Sequence, residues 1–518
     1  SIIRAGAEPD TMAHQPLHGP TLILLTLGLS LGTFMQVLDT SIANVSLPAI
    51  SGDLAVSPNQ GTWVITSFAV SNAIALPLTG WLSRRFGDVR LFVLSTLLFT
   101  LASWLCGLAP SLPSLIAARV LQGAVAGPMI PLSQSLLLNN YPPEKKGLAL
   151  ALWSMTVIVA PILGPILGGW ITDNINWPWI FYINLPVGLL SAFLTWTILG
   201  RRSSATQVVP IDKVGLVLLV LGIGALQILL DKGNELDWFE SRFVVALAVV
   251  SVVALSVLVV WELTDRHPVV DFHLFGQRNF LVGTVILSCG YLVFFGNVVI
   301  LPLWLQTNMG YTATWAGMAA APIGILPVFL SAFVGKNMHK IDLRIWATFS
   351  FMVFAAVSFW NSQFNTDVTF QHIVIPRLLM GFGVATFFVP LTALTLSDIP
   401  PQMMSSATGL SNFSRILAGS FGTSLSITLW DRRAEFHHSI LTSHVSAFDP
   451  TVADALGPLA NQATDPALLE RIISQQAVLL ATNDIFWLSG CFFVALMLLV
   501  WLARPPRHGA AVAASGAH

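Results

Sequence analysis

Charged side chains are scarce in this sequence. Asp, Glu, Lys and Arg make up 9% of its 518 residues, against about 25% in a soluble domain. That shortage excludes a water-solvated globular protein, and the formal net charge of -1 argues against a nucleic-acid partner. Cysteine is nearly missing as well. Cys106, Cys289 and Cys491 lie in three separate apolar runs, which suggests neither a disulfide framework nor a metal cluster. No GxxxxGK[ST] phosphate loop occurs, so the chain does not hydrolyse ATP by that route, and the absence of HExxH weakens an enzyme reading. Residues Ser1 to Thr11 are polar and lack an apolar signal core; Met12, opening MAHQPLHGP, is a candidate natural start.

What is abundant is hydrophobic residue, 55% of the chain, with a mean hydropathy of +0.76. A run of about 20 apolar residues crosses roughly 30 Å of hydrocarbon. Fourteen such runs are legible, at 22–46, 61–82, 91–109, 112–138, 148–171, 179–199, 214–230, 243–261, 280–305, 313–335, 345–360, 371–397, 404–430 and 485–503. The predicted fold class is an all-α polytopic membrane protein. With the N-terminus placed inside, sixteen of the 24 Lys and Arg residues fall in inner segments, five in outer segments, and Arg119, Arg377 and Arg415 within runs. This asymmetry puts both termini in the cytoplasm.

Sliding the chain by 258 residues pairs Arg119 with Arg377, Gly123 with Gly381, Pro142 and Pro143 with Pro400 and Pro401, and Gly164 with Gly422. Two parallel six-helix halves are therefore expected. The predicted layout is a cytoplasmic tail at 1–20, one half at 21–200, an inserted hairpin with linkers at 201–279, a second half at 280–503 and a tail at 504–518, whose small residues read as disordered. The hairpin is expected to fill space beside the bundle, and VVDFHLFGQRNF in its linker to form a short helix along the inner interface. The segment 431–484 is the longest outer connection, and DPALLERIISQQAVLL within it has helical spacing. His437, His438 and His444 in it lack the cysteine or carboxylate geometry of a metal site. A partner-docking surface, a cavity lid and an inert loop all remain open for this segment.

All eleven histidines fall in loops, tails or run edges, leaving Asp39 as the deep titratable candidate. A carboxylate inside the membrane costs on the order of 2.5–3.5 kcal/mol on insertion scales, so it must be paired, hydrated or periodically protonated. A carboxyl group that alternates between a dry environment and a nearby cation can take up and release a proton. Arg119 is the expected cation, with a helix-tying donor to carbonyls as its other reading, and a static ion pair is the structural alternative for both. Met35 and Gln36 share the Asp39 face. Together with Gln122, Phe294, Asn297 and Arg377 they are candidates to line a substrate cavity, against ordinary interhelical packing.

The stretch APILGPILGG, residues 160–169, would break a soluble helix, but is tolerated in lipid where a neighbour covers the loosened backbone. Gly164 and Gly168 share one face and allow close approach of a partner helix; Pro165 and Gly169 complete the motif. It resembles the antiporter signature of the major facilitator superfamily. LDTSIANVSLP (38–48), RVLQGAVAG (119–127), WPWIFYINLPVG (177–188), NNYPPEKKG and TATWAG resemble segments of the EmrB-type branch of fourteen-helix drug/proton antiporters, over nearly the full chain. GWLSRRFGDVR (80–90) is similar to that family's inner-loop motif, with Gly80, Arg84, Arg85, Gly87, Asp88 and Arg90 in place and Ser83 where an acidic residue usually stands. The resemblance implies proton-coupled multidrug efflux across the bacterial inner membrane by alternating access. It also implies a periplasmic membrane-fusion adaptor of the EmrA type and a TolC-type outer-membrane channel as partners, and no cofactor. An exporter of a native metabolite or siderophore would share these motifs; a channel or receptor needs neither the paired halves nor the Gly-Pro helix.

Overall fold

The computed structural model describes residues 17–202, 206, 210, 212–265, 268–338, 340–444 and 466–505. The polar start, the 445–465 stretch and the tail from 506 lie outside the described residues. Within hydrocarbon every backbone N–H must find an acceptor inside its own segment, so the apolar runs become helices. These are α1 (Gly19–Asp53), α2 (Trp63–Ala75 with Thr79–Phe86), α3 (Asp88–Gly107), α4 (Leu112–Asn140), α5 (Lys146–Asn174), α6 (Trp179–Arg202), α7 (Lys213–Lys232), α8 (Arg242–Thr264), α9 (Arg278–Thr307), α10 (Trp315–Asn337), α11 (Leu343–Asn361), α12 (Phe370–Thr395), α13 (Met404–His444) and α14 (Pro466–Leu499).

Eleven helices are long and apolar enough to cross a membrane, or thirteen when each of two bent pairs counts as one span. The remaining expected crossing lies in α13, which is too polar to pass by composition. Its Ser405, Thr408, Ser411, Asn412 and Arg415 are buried against other helices. The run 61–82, expected as one span, breaks between Ala75 and Thr79 with a bend of 63°. Pro77 lies in that break, and it has no N–H to continue the ladder.

Two other expectations need correcting. The 269–280 linker forms only a 3-10 turn, Phe272–Gly276, begun by Asp271 accepting from His273 N. Its Leu274, with Val269 and Val270, is buried in the helix core, so it does not lie along the interface as a helix. The 431–484 segment is also less of a loop than expected. α13 runs on to His444 and α14 starts at Pro466, because no Gly or Pro interrupts 467–489. These extensions are joined by Arg433 and His437 on Asp484 at 2.6 and 2.7 Å and by His438 on Glu470 at 2.7 Å.

α5 packs against α1 through its glycine face. A side chain at Gly164 would overlap Ser41, and a Cβ at Gly168 would lie 3.2 Å from Ile42 Cγ2. Ser41 donates to Pro161 O at 3.0 Å. Gly169 faces open space, and the Pro165 side chain lies outside the described residues. Gly168→Leu is expected to lower thermal stability while the protein still elutes as one folded species. Overpacking a close helix contact costs about 1–3 kcal/mol, and an unchanged melting temperature in that variant would contradict tight packing on this face.

The helices of 21–200 meet those of 280–503 mainly through α2, α4 and α5 on one side and α10, α12 and α13 on the other. The closest approaches lie at the end carrying the 84–90 and 143–146 connections, called here the basic end. Gly147 and Gly335 are in backbone contact, and a side chain at Gly80 would overlap Ser406. Deeper in, Ser135 and Ser405 are 3.0 Å apart, Thr408 donates to Pro131 O at 3.1 Å, and Asn412 Nδ2 donates to Gln134 Oε1 at 2.8 Å.

The α7–α8 hairpin is hydrogen-bonded to both halves. Near the opposite end Lys232 Nζ donates to Thr62 Oγ1 beside α2 at 2.6 Å. On α13, Ser424 donates to Leu230 O at 2.8 Å and Thr428 accepts from Trp238 Nε1 at 2.9 Å. α7 therefore bridges α2 and α13, while α8 exposes Val249, Val252, Val253 and Val260.

Candidate proton-coupling and closure sites

Asp39 sits in the middle of α1 and Arg119 in the first third of α4, both essentially without solvent exposure. They form an ion pair, with Arg119 Nη1 2.6 Å from Asp39 Oδ2. The other carboxylate oxygen accepts from Gln122 Nε2 at 3.1 Å and Asn184 Nδ2 at 2.8 Å. Ser103 Oγ accepts from the same two amides at 2.7 and 3.2 Å. Arg119 also fills its second expected role, with Nε donating to Val64 O of α2 at 3.1 Å. The guanidinium lies over Phe68 at 4.3 Å and near Phe181 at 5.6 Å. Among the described residues its Nη2 has no acceptor.

One carboxylate thus gathers α1, α3, α4 and α6, and its arginine adds α2. Three N–H donors from α4 and α6 converge on its two oxygens, so the charge of this one carboxylate holds those helices to α1. Asn184 and Ser103 were not singled out from the sequence. Asn184 had a signal, as an uncharged polar residue within WPWIFYINLPVG; Ser103 had none.

The cavity candidates are closed in this state. Met35 packs with Phe68, Phe99 and Met129, and Gln36 Nε2 reaches Asn72 Oδ1 at 3.4 Å while its Oε1 stays unpartnered. Phe294 joins the aromatic core, 5.7 Å from both Phe295 and Phe354. At the 258-residue register Asn297 occupies the place of Asp39 and Arg377 that of Arg119. Arg377 Nη2 lies 3.5 Å from Asn297 O and Nη1 3.7 Å from Met380 Sδ, while Asn297 Oδ1 accepts from Ser489 at 2.9 Å. The second half therefore repeats the arginine and replaces the carboxylate with an amide.

The 80–90 motif closes the basic end. Gly87, at φ +81°, turns the chain from α2 into α3 in a conformation that favours glycine. Asp88 accepts from Ser83 and, across the halves, from Ser405 Oγ at 2.9 Å. Ser83, in the position where the motif usually has an acid, thus bonds Asp88 directly. Arg84 reaches Ser406 Oγ and Pro268 O, each at 3.4 Å. Arg85 stacks near Trp81 at 5.7 Å, and Arg85 and Arg90 border a surface groove of about 730 Å³ between α3 and α6.

The profile of the Major Facilitator Superfamily matches residues 29–423. The chain belongs to the major facilitator superfamily. Among superfamily relatives, it is 54% identical to the multidrug export protein EmrB of Haemophilus influenzae, over 95% of this chain and 97% of that one. EmrB of Escherichia coli K12 is 52% identical over 97% and 99%. The fatty acid resistance protein FarB of Neisseria gonorrhoeae is 49% identical over 96% and 99%. A solved superfamily structure, the proton:xylose symporter XylE, superposes with a TM-score of 0.60 over 93% of this chain and 95% of that one, at 16% identity. The protein is a membrane transporter with the superfamily fold, and its relatives include multidrug exporters.

Proposed function

We propose that this transporter exports hydrophobic or amphipathic drugs across the bacterial inner membrane in exchange for protons, by alternating access. The observation that carries the reading is the buried Asp39–Arg119 pair, a removable charge wired to five helices. The names of the relatives, multidrug export and fatty acid resistance, support substrates with large apolar bodies. Lys and Arg placement supports a cytoplasmic basic end and cytoplasmic termini, and in this reading the closed basic end corresponds to the outward-facing phase.

In this cycle a proton from outside reaches Asp39, cancels the counter-charge of Arg119 and releases the amides of Gln122 and Asn184. The contacts of Asp88 and Gly147 at the basic end then part, and drug enters between the halves. Met35, Gln36 and Gln122 border the cavity from one half, and Phe294, Asn297 and Arg377 from the other. Drug binding favours proton loss to the cytoplasm, which re-forms the ion pair and closes the basic end. One charge moved through 100 mV supplies about 2.3 kcal/mol, which supports a concentration ratio on the order of tens.

Addition of an exported drug to purified protein in weakly buffered detergent is expected to release protons, read with a pH-indicator dye. Absence of proton exchange at every pH where drug binds would contradict coupling.

The extended outer parts of α13 and α14 support docking of an EmrA-type adaptor leading to a TolC-type channel, with this protein as the pump of a tripartite system. Replacing residues 447–463 with a short Gly-Ser linker is expected to spare reconstituted drug/proton exchange and reduce drug resistance in cells. Equal loss of both would point to a folding role.

A further inference from the structure

Arg415 of α13 is a cation without an anion. Its side chain is 3% exposed, and among the described residues it forms no ion pair. Nη2 donates to Asn412 Oδ1 at 2.6 Å, while Nε has no acceptor among the described residues. A buried charge normally has a partner, and a guanidinium that lacks one keeps strong, directional donor capacity for a carboxylate.

Three features set this arginine apart from Arg377, which is also buried and unpaired. First, its surroundings come from both halves of the protein. The guanidinium lies 5.9 Å from the ring of Trp153 on α5, 5.1 Å from Tyr291 on α9 and 5.8 Å from Phe388 on α12, and Asn412 passes the polar chain on to Gln134 of α4. The contacts of Arg377 lie within its own half. Arg415 therefore sits on the surface that separates when the halves move. Second, Arg119 and Arg377 are related by the 258-residue repeat and belong to the shared scaffold, whereas Val157 stands where the repeat would place a mate of Arg415. The fold does not require a cation there. Third, the aromatic faces offer apolar, polarisable contact next to the free donor, which suits a ligand joining a flat or chain-like apolar body to one negative group.

We propose that Arg415 is the anchor for an anionic group on the transported substrate, so that the cavity prefers amphipathic organic acids over neutral molecules of the same shape. This deepens the export reading and rests on it. In the open phase the carboxylate accepts from Arg415 Nε, Asn412 and Gln134 flank it, and Trp153, Tyr291 and Phe388 hold the apolar body. The charge is matched inside the cavity, so the acid need not be protonated to bind.

The test uses two probes with one apolar body, pyrenebutyrate and the neutral pyrenebutanol, titrated by fluorescence onto the full-length protein in lipid nanodiscs. Wild type is expected to bind the acid at least about tenfold more tightly than the alcohol, as a charge-assisted hydrogen bond of roughly twice ordinary strength requires. Equal affinities would overturn the proposal without any variant having to fold. Arg415→Gln is expected to abolish the preference and leave alcohol affinity within about twofold, with Arg415→Lys intermediate, since lysine keeps the charge and loses the planar fork. Arg278→Gln, which removes a cation outside the cavity where it donates to Leu502 O, is expected to keep the preference. Parallel loss of both ligands in Arg415→Gln, or an unchanged preference, would overturn the assignment. Gradient-driven transport of pyrenebutanol by Arg415→Gln vesicles reports separately on export, which stands if that transport persists while the anion claim fails.

Discussion

Asp39→Asn is expected to abolish pH-gradient-driven drug export while drug binding remains measurable. The amide matches the protonated carboxyl in size and still accepts hydrogen bonds at one position, so the cavity keeps its shape. It cannot lose a proton, and the carrier is held in one charge state. Arg119 Nη1, 2.6 Å from the carboxylate in the wild type, then loses its counter-charge with no solvent to replace it. Removing one partner of a buried ion pair typically costs about 3–5 kcal/mol, so lower thermal stability accompanies the loss of coupling. Gln122 and Asn184 soften this effect, because both still have Ser103 Oγ as acceptor. Binding and uphill export measured on the same purified protein at pH 6 and pH 8 separate the two effects. Retained binding together with absent export is the expected pattern; retained uphill export would remove Asp39 from the mechanism.

Gly147→Val is expected to be nearly as damaging for a different reason. Gly147 on α5 and Gly335 on α10 touch through their backbones, and a Cβ on either would overlap the carbonyl of the other. No rotamer relieves a backbone collision, so α5 and α10 must separate at the basic end. A misfit of about 1–3 kcal/mol shifts a two-state equilibrium by roughly tenfold per 1.4 kcal/mol, away from the closed basic end. Because this contact belongs to one phase of the cycle, the variant is expected to fold and to lose transport. Nitroxide labels at Glu144 and Lys340, on the two sides of the seam, are expected to give longer distances in the variant. An unchanged distance distribution with wild-type transport would mean that this seam does not gate the cycle.

The apolar runs made the helices readable, because lipid leaves the backbone few alternatives. The deep carboxylate was readable for the same reason: a single Asp within 22–46 is costly enough to need a purpose. The partner of the glycine face was not legible. Four-residue spacing says that something approaches closely, and only the fold brings Ser41 and Ile42 there. The bridging by α7 was hidden because its contacts join residues nearly 200 positions apart, such as Leu230 with Ser424. The helical extension of α13 was missed because His, Arg and Glu after Asp431 look like a solvated loop, and their pairing across to α14 has no signature in either strand of sequence alone. Arg415 was seen as an interruption in a run, and its isolation from any carboxylate is a three-dimensional fact.

Proteoliposomes with an imposed pH gradient test the central claim most directly, by following accumulation of a fluorescent drug before and after nigericin collapses that gradient. Wild-type protein is expected to concentrate the drug and release it on collapse, and Asp39→Asn protein to do neither. Concentrative uptake that survives nigericin, or that Asp39→Asn supports as well as wild type, would contradict proton-driven export through Asp39.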